Sequence, residues 1–441
     1  MPTLDDKIQW ALIHGIAMGV KTSDTELDSK MPVIHAPFTL DSFPFPKKEF
    51  EKAVNLARDF NILVENITRN PEWLISTLKA TSISDLFIRK LITIYETVLG
   101  EGTKQTLSLA INRSDYMLHS KEGDVRSLLQ VELNTIASSF GSLSTKISEM
   151  HREMSDMEQQ ESVARAIRNI PRNSALDNIS GGIAAAHFAY LGSVGQTKLD
   201  NVVAVVVQPG ERNFADQRLL QCQLWKDHRV RCVRVTLAEI FTYGTLGSND
   251  ELSIRGKNIS VVYFRAGYSP EDHPSDKEWD ARLLIERSIA IKCPTIAVHL
   301  AGCKKVQQVL ADPGVLEMFI SSESQCVALR SVFAGLYNLA VPSTSSANAP
   351  AELEQLTRIK KEVERVDGLN FVLKPQREGG GNNFYGPAVA AALQSMSLDE
   401  QAAYILMERI LPPSSNAELV RDGKVNQVCG SWWRRLRLHP L

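Results

Sequence analysis

The apolar positions of this chain change period along its length, and each change marks a different kind of element. From Leu4 to about Gly102 they recur at three- and four-residue steps, as in Phe50, Val54, Leu56, Ala57, Phe60 and Leu63 and again across Asp85 to Leu99, which predicts helices. Val33-Ile34-His35-Ala36-Pro37-Phe38 interrupts them with an extended path, because a proline disfavours helical geometry in the residue before it. The period then falls to two. Leu107 to Arg113 and Leu128 to Asn134 alternate as strands do across the turn-rich Ser120-Lys121-Glu122-Gly123-Asp124, which predicts a hairpin. Ser142 to Ser174 is polar and helical, and Gly181-Gly182 opens a small-residue helix through Gly192.

From Asn201 the pattern alternates between strand and helix. Asn201 to Val207 is a continuous β-branched run, as expected of a strand buried on both faces of a parallel sheet. A helix (Ala215 to Asp227), a strand (Val230 to Val235), a helix (Thr236 to Phe241), a strand (Ile259 to Arg265), a helix from Trp279 and a short Thr295 to Val298 segment follow. Such βα alternation implies a doubly wound α/β unit, placed at about residues 190–300. Lys304 to Tyr337 returns to helices, and Val341 to Pro350 has the composition of a surface loop. Strand Phe371 to Lys374 runs into a glycine-rich loop, with a helix near Ala388 to Gln394 and a strand from Ala403 to Glu408 beyond it.

Length and charge narrow the possibilities. A chain of 441 residues has room for two or three domains. With 49 basic and 51 acidic side chains the net charge is -2, which favours neither nucleic acid nor a membrane surface as partner. Met1 to Val20 lacks the apolar core of a secretory signal, and no stretch approaches the roughly 20 apolar residues of a membrane span. Six cysteines without CxxC spacing fit reduced thiols and the cytoplasm, and argue against a zinc site.

The segment richest in chemistry is Lys374-Pro375-Gln376-Arg377-Glu378-Gly379-Gly380-Gly381-Asn382-Asn383, ahead of Phe384-Tyr385. Three glycines let backbone N–H groups approach phosphate oxygens, Lys374 and Arg377 supply positive charge, and Glu378 is a natural Mg²⁺ ligand beside them. Neither GxxxxGK[ST] nor GxGxxG is present, so a nucleotide site would be of another type; a plain Gly/Asn surface loop is the alternative. Glu132 and Asn134 stand two apart on a predicted strand and project from one face, giving oxygen donors suited to hard Mg²⁺, or else a solvated strand face. No Ser/His/Asp or Cys/His arrangement suggests a covalent nucleophile among the nine histidines.

Together with Asn112 to Met117, Glu132 to Ile136, Glu211 to Asn213, Tyr263 to Arg265, Ala281 to Ser288 and Ala301 to Gln308, the glycine-rich block resembles the eukaryotic glutathione synthetases, in order and spacing, over roughly residues 30–425. That resemblance implies a mixed α+β ATP-grasp fold with an inserted doubly wound substrate-binding domain. Residues 1–189 would form a helical region and the first part of the core, 190–300 the insertion, 301–428 the rest of the core, and 429–441 a basic, aromatic tail. For Mg²⁺ it implies Glu132, Asn134 and Glu378. ATP would meet Glu132, Lys305, Lys374, Pro375, Gln376, Arg377, Glu378, Gly379, Gly380, Gly381, Asn382, Asn383 and Tyr385, with the base read by Met407, Glu408, Arg409 and Ile410. The dipeptide would meet Arg113, Ile136, Ala137, Ser138, Ser139, Glu211, Arg212, Asn213, Gln217, Arg265, Ala266, Gly267 and Tyr268. Arg113, Lys305, Lys374 and Gly380 would be catalytic.

The implied reaction joins γ-glutamylcysteine to glycine: ATP phosphorylates the cysteinyl carboxylate and the amine of glycine attacks the acyl phosphate. A cytoplasmic homodimer is implied with it. The family's sequences normally continue for several dozen residues past the equivalent of Val420-Arg421-Asp422-Gly423, supplying a lid and part of the nucleotide clamp. Here Cys429 to Leu441 matches none of that part. Two readings therefore stay open, an active ligase and an impaired binding form or dimer partner.

Overall fold

The structure is a computed structural model that describes residues 2–20, 32–120, 126–157, 169–195, 201–341, 349–376, 382–413 and 416–428. Arg377, Glu378, Gly379, Gly380 and Gly381 of the glycine-rich loop, the turn at 121–125 and the tail 429–441 lie outside these residues.

The N-terminal part is helical as its periodicity predicts: α1 (Leu4–Ile13), α2 (Lys47–Thr68), α3 (Pro71–Ser84) and α4 (Leu86–Glu101), with short strands β1 (Ala17–Gly19), β2 (Val33–His35) and β3 (Phe38–Thr39) around the extended Pro37 segment. The α2 stripe Leu56, Phe60, Leu63 and Ile67 is buried, while Val54 faces solvent at 52% exposure. Asp85 caps α4 by accepting the Ile88 N–H at 3.1 Å.

A hairpin follows, β4 (Arg113–Ser120) paired with β5 (Arg126–Asn134), and then α5 (Gly141–Met157) and α6 (Ala175–Ser193). The first hairpin strand begins at Arg113 instead of Leu107. Residues 107–112 form no strand and do not pair with β5; Leu109 donates its N–H to the Lys292 carbonyl, and Leu109 and Ile111 pack under the next sheet. Their alternation reflects packing on that neighbour.

The central sheet comprises β6 (Val202–Val206), α7 (Phe214–His228), β7 (Cys232–Val235), α8 (Leu237–Tyr243), β8 (Gly244–Leu246), β9 (Leu252–Ile254), β10 (Lys257–Phe264), α9 (Asp276–Arg287) and β11 (Ile291–Cys293). Strands β7, β6, β10 and β11 are parallel, and β9 and β8 extend one edge antiparallel. All five residues of β6 are buried, because α6 and α7 cover one face and α8 and α9 the other. The short Thr295 to Val298 segment opens a helix. Thr295 caps the short helix α10 (Ile296–Ala301) through the Val298 N–H at 3.3 Å.

The remainder holds α11 (Lys304–Leu310), α12 (Glu323–Arg330), β12 (Leu336–Asn338), α13 (Ala349–Arg365), β13 (Phe371–Pro375), β14 (Phe384–Tyr385), α14 (Pro387–Ser395), α15 (Leu398–Ala402), β15 (Tyr404–Glu408), β16 (Ala417–Arg421) and β17 (Lys424–Val428). An antiparallel sheet runs β12-β15-β13-β14. Strand alternation splits its two faces. Phe371, Leu373 and Leu406 pack on α13 and α14, whereas Ile405 and Met407 turn the other way, toward Leu129 of β5 and Ala311. Lys374 lies on this second face with Met407, donating to the Val131 carbonyl of β5. The architecture is mixed α/β, as the sequence pattern predicts.

Candidate functional site

Two short segments, the end of the β4–β5 hairpin and the carboxyl end of the parallel strands, bring the candidate residues together. In the hairpin register Arg113 lies opposite Asn134, and Asp115 opposite Glu132, with a bulge between Asp115 and Tyr116. Glu132 and Asn134 are 5% and 4% exposed, so the two-residue spacing does place both on an inner face. Two buried oxygen-bearing side chains on one strand end suit a hard cation. Among the described residues no group of three or more His, Cys, Asp or Glu could hold a metal ion, and the third expected ligand, Glu378, lies outside them.

Opposite this strand stands α11. Lys304 brings its ammonium to 3.6 Å from Glu132 Oε2, with both side chains buried. Lys304 was not among the residues singled out from the sequence; the neighbouring Lys305 was. Lys305 Nζ donates to Gln308 Oε1 and Asn338 Oδ1, each at 2.7 Å, and its amide donates to Gln376 Oε1 at 2.8 Å. Burial pulls the Lys305 pKa down to about 8 against the opposing pull of Asp312 and Glu352. Lys374 reaches across from β13 and donates to the Val131 carbonyl of β5 at 2.8 Å. The approach of α10 and α11 to β5 depends on Gly302, where an added Cβ would collide with Thr135 Oγ1, itself donating to the Val298 carbonyl at 2.8 Å.

The loop after β5 carries Ile136 to Ser139 toward the parallel sheet. Ala137 and Phe140 adopt φ of 50° and 72°, left-handed values that cost a non-glycine residue about 1–3 kcal/mol each. Asp216, at the start of α7, holds the loop there: its carboxylate accepts the N–H groups of Phe140 and Ser142 at 3.0 Å and of Leu143 at 3.2 Å, at the N-terminus of α5. The same carboxylate pairs with Arg265 Nη2 at 2.8 Å, which also donates to Ser139 Oγ at 2.8 Å. Burial works against the Arg265 charge, and Tyr263 and Asp216 together overcome it, raising its pKa above the ordinary arginine value. Asp216 too escaped the sequence reading.

Around this joint the other expected dipeptide contacts fall into two groups. Glu211 accepts the Asn213 N–H and Gln217 Nε2, both at 2.7 Å, and Tyr268 OH accepts Gln208 Nε2 at 3.2 Å, so these polar tips surround one region. Gly267, at φ 90°, and Tyr268 donate their N–H groups to Asp272. Ser138 Oγ donates to the Ile111 carbonyl at 2.8 Å. Ile136 and Ala266 instead belong to the apolar core of the sheet, and Arg212 Nε donates to the Gly19 carbonyl at 3.0 Å, tying β1 to the site. A cavity of 1760 Å³ opens beside Arg212, Asn213, Phe140 and Ser144.

On the nucleotide side Gln376 Nε2 donates to the Ala403 carbonyl, Asn383 Nδ2 to Tyr385 OH, and Pro375 closes β13 opposite Tyr404; Asn382 is exposed. Met407 is buried and Ile410 packs beside it. The Glu408 and Arg409 amides already donate to the Gly335 and Asn370 carbonyls, each at 2.8 Å.

The family model for eukaryotic glutathione synthase, ATP binding domain, matches residues 3–430. The chain belongs to that family. It is 41% identical over 430 residues to glutathione synthetase of Dictyostelium discoideum, covering 96% of this chain and 86% of the relative. The human glutathione synthetase is 38% identical over 430 residues, covering 96% and 85%, and the chloroplastic enzyme of Arabidopsis thaliana is 38% identical over 424 residues, covering 95% and 74%. A glutathione synthetase-like effector of Globodera pallida, solved in its apo form, superposes with a TM-score of 0.71 at 21% identity, over 96% of this chain and 84% of that one, and shares the fold of this synthase-family chain.

Proposed function

We propose that the chain is a glutathione synthetase, ligating γ-glutamylcysteine to glycine with ATP through an acyl phosphate and releasing ADP and phosphate. The observation that carries this reading is the meeting of two kinds of group at one strand end: the oxygen donors Glu132 and Asn134 with Lys304 and Lys374 nearby, and the Arg113, Ser139 and Arg265 set one loop away. Phosphoryl transfer to a carboxylate needs both, since the polyphosphate and the carboxylate are anions that must be held in contact.

Glu132 and Asn134, with Glu378, would hold Mg²⁺. Bound there, it supplies neutralisation of the charge on the polyphosphate. Lys304 and Lys374 add fixed positive charge around the transferring group, from two different elements. Arg113 and Arg265 orient the dipeptide so that its cysteinyl carboxylate faces the γ-phosphoryl group. Burial of Glu132, Asn134, Lys304, Lys374 and Arg265 helps keep water from the acyl phosphate. An impaired binding form is not favoured, given 38–41% identity to synthetases over most of the chain.

The reading extends to a homodimer in the cytoplasm. No helix among the described residues is long and apolar enough to cross a membrane. The deciding test is ADP release by the purified chain with ATP, Mg²⁺, γ-glutamylcysteine and glycine, with glutathione identified by mass. Release should require both amino-acid substrates. Turnover that ignores glycine, or that depends on an unrelated acceptor, would defeat the assignment.

A further inference from the structure

The hairpin carries another acidic side chain, to which the reaction above gives no part. Asp115, 2% exposed, lies level with Glu132 beside the bulge. Its Oδ1 accepts Arg113 Nε at 2.7 Å and its Oδ2 accepts Arg113 Nη2 at 3.0 Å. Oδ2 also accepts Asn134 Nδ2 at 3.3 Å, and the same amide nitrogen donates to the Arg113 carbonyl at 3.3 Å. One buried carboxylate oxygen therefore touches both a residue of the dipeptide side and a residue of the metal side.

Each contact fixes an orientation. A guanidinium has two bidentate edges, Nε/Nη2 and Nη1/Nη2. Asp115 takes the first, so Arg113 turns the second outward, with Nη1 3.4 Å from the Ser139 carbonyl of the substrate loop. An asparagine amide has two donors on one end and an acceptor on the other. The donor end of Asn134 is drawn to two acceptors on β4, so its oxygen is the end directed away from that strand. The flipped amide would set three acceptors against one another and offer N–H groups where a cation needs oxygen.

We propose that Asp115 is a positioning residue that sets the Asn134 oxygen toward the metal–nucleotide site and the Nη1/Nη2 edge of Arg113 toward the dipeptide, so that one carboxylate aligns both. This rests on the function proposed above. Loss of a group that orients a metal ligand typically weakens metal binding by roughly 10–100-fold.

The test uses the full chain and two binding measurements that need no turnover: Mn²⁺ affinity with a non-hydrolysable ATP analogue by electron paramagnetic resonance, and γ-glutamylcysteine affinity by calorimetry. Asp115→Asn should weaken Mn²⁺ binding by roughly tenfold or more and dipeptide binding with it. In an Asn134→Asp background, where the ligand has no wrong way round, Asp115→Asn should leave Mn²⁺ affinity unchanged or improve it. Equal losses in both backgrounds, as a damaged fold would give, overturn the proposal. So does an Asp115→Asn single variant within about twofold of the wild type, against the loss expected for an orienting group. A wild-type chain that binds neither Mn²⁺ with nucleotide nor dipeptide overturns the functional reading itself, and is distinguished by needing no variant.

Discussion

The dipeptide side and the nucleotide side of the site are built by different means. Asp216 joins the first through a 2.8 Å ion pair with Arg265 and three backbone N–H groups, with both charged side chains at 2% exposure or less. The second brings Lys304 only to 3.6 Å from Glu132, beyond hydrogen-bond range. In the first joint the opposite charges hydrogen-bond to each other directly. In the second the Lys304 ammonium and the Glu132 carboxylate stand close without that direct bond to each other, an arrangement suited to admitting a polyphosphate and its cation between them. Rigidity and responsiveness are thus divided between two neighbouring joints.

That division can be broken from either side. Asp216→Ala leaves a buried arginine without its carboxylate and releases the strained loop, so unfolding free energy should drop by about 3–5 kcal/mol, measured by denaturant titration. A loss below about 1 kcal/mol, the scale of an exposed pair, would mean that the joint is not the rigid half. Lys304→Met should act mainly on rate: kcat for ADP release should fall by roughly 10²–10³-fold, with a smaller loss of stability than Asp216→Ala gives. Equal effects of the two substitutions on stability would erase the contrast.

The smallest effect concerns Lys305 and sharpens the same contrast. Its ammonium gives up its proton near pH 8 in the folded chain, whereas the unfolded chain holds the proton to about 10.5, so between these values the unfolded state binds more protons. Folding stability contributed by this group therefore rises with pH across that window, by on the order of 1–3 kcal/mol. Lys305→Met should reduce the rise between pH 7.5 and 10 by this group's share, because Lys292, also pulled down to about 8 by burial, keeps its own contribution in both proteins. A difference in stability between wild type and variant that stays flat with pH across this range would overturn the prediction.

Much of the fold was legible because burial imposes periodicity. Asn201 to Val207 and Phe371 to Lys374 read as strands because helices or a facing element cover them. Leu107 to Ile111 misled for the same reason in reverse: its alternation comes from packing on the parallel sheet, a partner distant in sequence. The lysine pair shows the limit at the site. Lys304 and Lys305 differ by one step of a helix, about 100°, and which one meets Glu132 depends on how α11 docks against β5. Asp115 had a readable signal, standing two residues after Arg113 on one strand face, level with Glu132 across the hairpin. Asp216 had none, since its partners come from two segments distant in sequence, residues 140–143 and Arg265.

Gly302 gives that docking a further consequence. The clearance between the phosphate-side helix and the metal-side strand is set by a hydrogen atom where every other amino acid has carbon, against a Thr135 that is itself pinned to Val298. Drift at position 302 therefore has no gradual route. Even alanine would have to push Lys304 away from Glu132 or dislodge Thr135, so two functional groups far apart in sequence inherit their separation from a side chain that is not there.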